Sequence, residues 1–243
     1  MSLQAAIHFL YPPQCLVCGE ETSADFALCG SCWRDAPFIN GLVCDACGVP
    51  LPGEAVGNDN DVVHCDACLL APRTWSRGRA AFSYEGTARR LVLGLKHGDR
   101  QEFVRPMATW MAQSGRLICG FDTLVVPVPL HARRLFSRRF NQSALLAKQC
   151  AARLGLDYLP DLLTRTRATM MQEGMTLKER YENQKSAFQI SKKRREILGS
   201  RSVLLVDDVL TSGATLSGCA EVCLAAGARH VNVLVLARVA RGT

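Results

Sequence analysis

The sequence predicts an α/β protein, a parallel sheet flanked by helices, with a small cysteine-rich unit in front of it. Three observations carry that prediction. From Thr123 onward, short apolar runs alternate with amphipathic stretches at helical spacing. One of those runs, Val203-Leu204-Leu205-Val206, leads directly into Asp207-Asp208 and a turn of small residues. Ahead of this region, eight of the twelve cysteines fall into four Cys-x-x-Cys pairs.

The strand and helix elements follow from the pattern in order. Residues 125–128 read as a strand, 142–154 as a helix, 203–206 as a strand, 216–226 as a helix and 231–236 as a strand. Strands alternating with helices of this length form βαβ units, and ligands of such sheets bind beyond the carboxyl ends of the strands. With 243 residues, 48% of them hydrophobic, the chain can bury the cores of one or two domains. No apolar run reaches the roughly 18 residues that a membrane-spanning helix requires, so a soluble protein is expected.

The net charge of +7 conceals a division. Residues 1–75 hold nine acidic and two basic side chains, a formal −7, and residues 76–243 hold the remainder, a formal +14. These ranges are read as two domains, and the larger one is expected to attract phosphate-bearing partners. At the start of the chain, Leu3, Ala6, Ile7 and Leu10 recur at helical spacing before Pro12-Pro13. The segment carries neither a basic leader nor a small-residue cleavage site, and is read as a short amphipathic helix of a cytoplasmic protein.

The cysteine pairs are Cys15/Cys18, Cys29/Cys32, Cys44/Cys47 and Cys65/Cys68. Two residues between cysteines let a tight turn aim both sulfurs at one ion, and two such turns supply the tetrahedral set that structural zinc favours. Sequential pairing gives one site from the first four cysteines and a second from the last four; interleaved pairing is the alternative. Gly19 and Gly48 each follow a pair, as a turn continuing through positive φ would require. Each half reads as a zinc ribbon with too few apolar residues to fold without its metal. Disulfides and a redox role are the competing readings of these pairs. A four-thiolate site is closed, which argues against a catalytic zinc, and structural support is favoured over binding a protein or nucleic-acid partner. Cys119, Cys150, Cys219 and Cys223 lack this spacing and are read as small buried apolar residues.

The segment from Val203 to Thr215 carries the chemistry. A buried strand delivers two carboxylates, Asp207 and Asp208, to its end, and Thr211, Ser212, Gly213, Ala214 and Thr215 form a small-residue loop that opens a helix. Backbone N–H groups of such a loop can wrap a phosphate at the positive end of the helix dipole, with hydroxyls adding donors. Carboxylates beside a phosphate would repel it unless they bind hydroxyls or act with Mg²⁺, and a phosphorylated sugar meets both demands.

This segment resembles the PRPP-binding motif of type I phosphoribosyltransferases. The resemblance implies that fold, PRPP with Mg²⁺ as ligand, ribose contacts at Asp207 and Asp208 as the catalytic pair, and a 5′-phosphate held by residues 211–215. Together with the cysteine-rich start, the chain resembles the ComF/GntX family of competence-associated, phosphoribosyltransferase-like proteins over nearly its whole length. Leu95-Lys96-His97-Gly98, Val126-Pro127-Val128-Pro129 and Arg139-Phe140-Asn141-Gln142 support this, as does the stretch from Arg165 through Gln172, Arg180 and Phe188. Arg139 stands where the family often has glycine. By the same resemblance the basic loop after residue 128 binds pyrophosphate through His131, Arg133, Arg134, Arg138 and Arg139, with Lys96 a further candidate. Guanidinium forks suit a departing diphosphate. Residues 161–190 resemble the variable hood of the superfamily, where Arg165, Arg167 and Arg180 could meet phosphate and Met170, Met171 and Met175 could line an acceptor pocket.

Two functions follow from the resemblance. In the first, the protein transfers phosphoribosyl from PRPP to an unknown nitrogen acceptor and releases pyrophosphate; no residue presents itself as general base. In the second it is a non-catalytic factor that handles single-stranded DNA during natural transformation, regulated by PRPP, with DNA-uptake or recombination proteins as partners. The basic run Lys192-Lys193-Arg194-Arg195 is expected to be exposed, either solvated or touching nucleic-acid phosphates.

Overall fold

The structure, a computed structural model, describes residues 8–54, 62–97, 100–130, 140–166 and 187–240, without the His97 side chain. Two short helices, α1 (Gly30–Arg34) and α2 (Asp66–Leu70), belong to the cysteine-rich part. The remainder runs β1 (Gly78–Ser83), α3 (Gly86–His97), α4 (Val104–Gly115), β2 (Leu124–Pro127), α5 (Gln142–Leu154) and β3 (Asp157–Tyr158). A hairpin of β4 (Leu163–Arg165) and β5 (Phe188–Ile190), the short α6 (Arg195–Leu198), β6 (Val203–Leu210), α7 (Ala214–Ala225) and β7 (Val231–Arg238) complete it. Among the described residues no helix is long and apolar enough to cross a membrane.

The five-stranded sheet has the order β1-β7-β6-β2-β3, and each neighbouring pair is parallel. β6 lies at its centre because its first four residues, 203–206, are apolar and fully buried, as a strand covered on both faces must be. Their side chains alternate. Val203 and Leu205 face an apolar cluster with Cys219, Ala220 and Cys223 of α7, and Leu204 and Val206 face a second cluster with Leu146, Ala147 and Cys150 of α5. Helices α5 and α7 thus cover opposite faces. β2 connects through α5 outward to β3, whereas β6 connects through α7 in the other direction to β7. The sheet's topological switch point therefore lies between the carboxyl ends of β2 and β6, where such folds open a crevice.

Helix α5 has the bounds the sequence predicts. Asn141 caps it, its side chain accepting the Ser143 N–H at 3.0 Å, and Gly155 ends it in the left-handed region. Two expectations are corrected. β6 does not end at Val206 but runs through the carboxylates to Leu210, because β7 keeps pairing with it as far as Leu210↔Arg238. Helix α7 begins at Ala214, not at Leu216, so Ala214 and Thr215 form its first turn rather than the loop. Elements β1, α3 and α4 lie before Thr123, outside the stretch whose alternation is plain in the sequence. The amphipathic N-terminal segment falls largely outside the described residues; Cys150, Cys219 and Cys223 are fully buried as expected, and Cys119 partly so.

The two cysteine-rich halves join the body differently. Cys15, Cys29 and Cys32 form a small cluster of their own. A chain of rings ties this half to the sheet: Trp33 to Phe38 at 4.8 Å, Phe38 to Phe82 of β1 at 4.4 Å, and Phe82 to Trp110 of α4 at 5.3 Å. By contrast Cys44, Cys47, Cys68 and Trp75 share the main apolar cluster with Leu205, Val233 and Val235. The second half is continuous with the core.

Truncating the centre of the sheet tests this account. Leu205→Ala should cost about 2–5 kcal/mol in urea unfolding while metal content stays unchanged, since it removes apolar volume from the core but none of the eight paired cysteines.

Candidate functional site

The four sulfurs of Cys15, Cys18, Cys29 and Cys32 lie within 4.8 Å of one another, and so do those of Cys44, Cys47, Cys65 and Cys68. This settles the pairing as sequential. Sulfurs on a common zinc at about 2.3 Å stand about 3.8 Å apart; Cys47 and Cys65 are 3.8 Å apart, and Cys18 and Cys29 3.5 Å. The donor sets therefore fit zinc. Gly19 and Gly48 both have positive φ. In the second cluster the Cys44 hydrogen bond draws the Cys47 thiol down to about 4, against burial, with the Arg238 charge adding to the effect.

At the other end of the molecule's chemistry stands the switch-point crevice. β2 stops pairing at Pro127, and beyond Val206 the backbone of β6 keeps a partner only on its β7 side. Asp207 and Asp208 begin where the β2 side opens. Asp207 accepts a hydrogen bond from Ser143 Oγ at 2.7 Å and another from the Asp208 N–H at 2.9 Å. Asp208 pairs instead with Lys96 Nζ of α3 at 3.0 Å. Burial pushes the Asp207 carboxyl from its ordinary 3.8 up to about 7, helped by the Asp208 charge, while Ser143, the Asp208 N–H and Lys96 pull it down.

The loop follows at once. A pocket is lined by Asp207 and by residues 209–216, so all five residues predicted for phosphate line one concavity with one of the two predicted carboxylates. The N–H groups of Thr211, Ser212 and Gly213 have no hydrogen-bond partner among the described residues, and they sit before the N-terminus of α7. That is the donor arrangement an anion requires. Gly213 has φ +86°, and a Cβ there would come within 2.8 Å of the Trp75 ring and 2.9 Å of Arg73 Nη1. Only glycine fits.

Two groups that the sequence reading missed complete the loop. Arg73 donates through Nη1 to the Ser212 carbonyl at 2.7 Å, and Arg238 Nη1 donates to the carbonyls of Leu210 at 3.1 Å, Thr211 at 3.0 Å and Val239. A charged residue closing the apolar run 231–237 was the available signal for Arg238; Arg73 had none. Ser143 was likewise missed, though a hydroxyl at the start of α5 is a usual place for a site donor.

His131, Arg133, Arg134, Arg138 and Arg139 lie outside the described residues, as do Arg167, Met170, Met171, Met175 and Arg180 of the hood. The described root of the hood is the antiparallel β4–β5 pair, with Phe188 and Leu163 in the same cluster as α7. In the basic run, Lys192, Lys193 and Arg195 are exposed and Arg194 is held by Asp161 at 2.9 Å.

Two four-cysteine sets joined to a parallel sheet whose central strand carries paired carboxylates and leads into a small-residue loop define a class. It is a double zinc ribbon protein with a parallel α/β domain. Residues 6–69 match the double zinc ribbon domain family. The chain is 31% identical over 233 residues to the DNA utilization protein YhgH of Salmonella typhimurium, covering 93% of this chain and 97% of that protein. It is 28% identical over 231 residues to competence protein F of Haemophilus influenzae, covering 93% and 96%. The chain thus belongs to the ComF family, the one its sequence resembles. A solved hypoxanthine phosphoribosyltransferase from Staphylococcus aureus matches 57% of this chain and 64% of its own, at 15% identity and a TM-score of 0.32.

The two metal sets should differ in consequence. Cys15→Ser and Cys44→Ser should each lower zinc from two ions per chain to one by elemental analysis, but only Cys44→Ser should lower the main melting transition by several degrees, its set being part of the sheet's core. Titration of Asp207 gives a second test. With its folded pKa raised, the stability tied to its neutral form is present at low pH and is lost as pH rises from the unfolded value through about 7. Asp207→Asn should therefore gain stability relative to the parent as pH increases from about 5 to about 8 in thermal melts; a constant offset would contradict the burial argument.

Proposed function

We propose that this chain binds PRPP at the switch-point crevice and acts in the cytoplasmic handling of DNA, with phosphoribosyl transfer to a nitrogen acceptor as the reaction its site supports. The observation that carries the proposal is the loop at 211–213, whose three N–H groups have no partner among the described residues and stand at the head of α7 beside the half-buried Asp207. Backbone donors take the 5′-phosphate oxygens, joined by the Thr211 and Ser212 hydroxyls. Asp207 and Asp208 accept from the ribose hydroxyls, and Ser143 and Lys96 keep them oriented before the sugar arrives.

Asp208 is already neutralised by Lys96 and Asp207 is raised toward neutrality, so the pair suits hydroxyl recognition better than a cation cage. A magnesium ion would be held by Asp208 together with phosphate oxygens of the ligand, and its charge would offset that of the departing diphosphate. In transfer, the bond from ribose C1 to the diphosphate oxygen breaks, its electron pair leaves with pyrophosphate, and the acceptor nitrogen forms the new bond to C1. Lys96 and the guanidinium groups of the 131–139 loop are the residues assigned to the pyrophosphate.

The link to DNA rests on the names of the relatives, a DNA utilization protein and a competence protein, and on the +14 charge of residues 76–243. That charge also favours the second reading, a non-catalytic binder of single strands regulated by PRPP, with DNA-uptake or recombination proteins as partners.

Calorimetric titration of PRPP with Mg²⁺ into the full chain decides the core of the proposal. Binding should raise stability by about 2.7 kcal/mol at a hundredfold excess over Kd, and Asp207→Asn with Asp208→Asn should abolish it. Absence of binding by the parent protein would overturn the assignment. Pyrophosphate release with candidate acceptors then separates transfer from sensing. Salt-dependent retention of single-stranded DNA, lost on neutralising Arg133, Arg134, Arg138 and Arg139, would identify the nucleic-acid role.

A further inference from the structure

The second cysteine set and the anion loop are joined by the same two side chains. Arg73 reaches Cys68 Sγ through Nε at 3.4 Å and the Ser212 carbonyl through Nη1 at 2.7 Å. Arg238 reaches Cys47 Sγ through Nη2 at 3.8 Å and the carbonyls of Leu210 and Thr211 through Nη1 at 3.1 and 3.0 Å. Each guanidinium therefore turns one edge to a sulfur and the other to the loop.

Charge explains why they stay there. Four thiolates around a divalent ion leave about −2 on the cluster. Arg238 is only 5% exposed, and among the described residues no carboxylate pairs with it or with Arg73. A buried guanidinium without a counter-charge is strongly unfavourable, so the sulfur cluster supplies what holds it in place. The arginines in turn draw three successive carbonyls, those of residues 210–212, to one side. The N–H groups of 211–213 are left without partners among the described residues. Trp75 backs the arrangement: Arg73 lies over its ring at 5.5 Å, and its Nε1 donates to the Ala46 carbonyl, between Cys44 and Cys47, at 2.6 Å.

We propose that Arg73 and Arg238 are positioning residues that tie the shape of the 210–213 loop to the second four-cysteine zinc site, so the loop keeps its anion-binding form only while that site is loaded. The ribbon is then a control element of the neighbouring site as well as a support. Loss of one ligand lowers the negative charge that both guanidinium groups answer, and loss of the ion frees the sulfurs they contact to move, so the loop carbonyls lose the fixed position of their donors. The first set, Cys15 to Cys32, has no such contact with the loop among the described residues, so its metal should not matter there. The identity of the anion rests on the PRPP reading; the mechanical coupling does not.

Hydrogen exchange on the full, zinc-loaded chain tests the coupling without any ligand. The Ser217 N–H donates to the Gly213 carbonyl at 2.8 Å and the Val239 N–H to the Leu210 carbonyl at 3.0 Å, so both report the loop's pose. Arg73→Met should retain two zinc ions by elemental analysis yet lower protection of these amides about tenfold, with the Val128 amide on the β2 side as an unchanged control. Arg73→Lys, which keeps charge but loses the fork, should fall between. Cys68→Ser should give the same loss at Ser217 and Val239, and Cys18→Ser should not. PRPP affinity should drop about tenfold in step with protection. Unchanged protection in both Arg73→Met and Cys68→Ser would overturn the proposal, even if Arg238 variants fail to fold. If the parent protein binds no PRPP, the ligand assignment falls while the exchange result still decides the coupling.

Discussion

The structure depends on one constraint, the unequal lengths of the two strands that flank β6. A central parallel strand is saturated by hydrogen bonds on both sides for as long as both neighbours last. β7 accompanies β6 to Leu210, but the β2 side makes its last bond to β6 from the Val128 N–H to the Val206 carbonyl, at 2.9 Å. From Asp207 onward, polar side chains on β6 find an open flank beside the head of α5. The same geometry desolvates Asp207 and exposes the turn that follows it. Carboxylate chemistry and anion chemistry are thereby placed next to each other by a strand that outlasts one of its partners.

That crevice is not supported by the sheet alone. The cysteine-rich half between residues 44 and 68 is folded into the same apolar cluster as the central strands, and two guanidinium groups carry its charge to the loop. A sulfur-ligated ion has few low-energy rearrangements, so it is a firm anchor for a loop that lacks the apolar side chains to anchor itself. The first half is attached through tilted and edge-on rings and through Leu16, which is buried in the second apolar cluster, and it makes no contact with the loop among the described residues. Two repeats of one motif have come to play different mechanical parts.

The sequence pattern was most informative where periodicity and chemistry coincide. The bounds of α5 were legible because Asn141 and Gly155 punctuate a clean amphipathic run. The four Cys-x-x-Cys pairs, the small-residue loop and the carboxylate pair could be read directly, since each requires particular residue types at fixed spacing. The ends of β6 and α7 were misread for a common reason. Acidic residues suggest the end of a buried strand, yet pairing with β7 overrides that preference, and the first turn of a helix looks like loop when it is made of Ala and Thr. β1, α3 and α4 escaped notice because their apolar residues lie in a stretch without a clear alternation of strands and helices.

By itself, then, the sequence determined the zinc ribbons, the α/β class, the small-residue loop after the carboxylate pair and the family, because these rest on local spacing that a single chain segment can satisfy. Only the tertiary structure decided that the cysteines pair sequentially, that Asp207 faces Ser143 while Asp208 faces Lys96, and that Arg73 and Arg238 join a sulfur cluster to a loop 139 and 27 or 28 residues away along the chain. Those contacts depend on which elements become neighbours in space. Sheet order and burial fix that, and no periodicity along the chain encodes it.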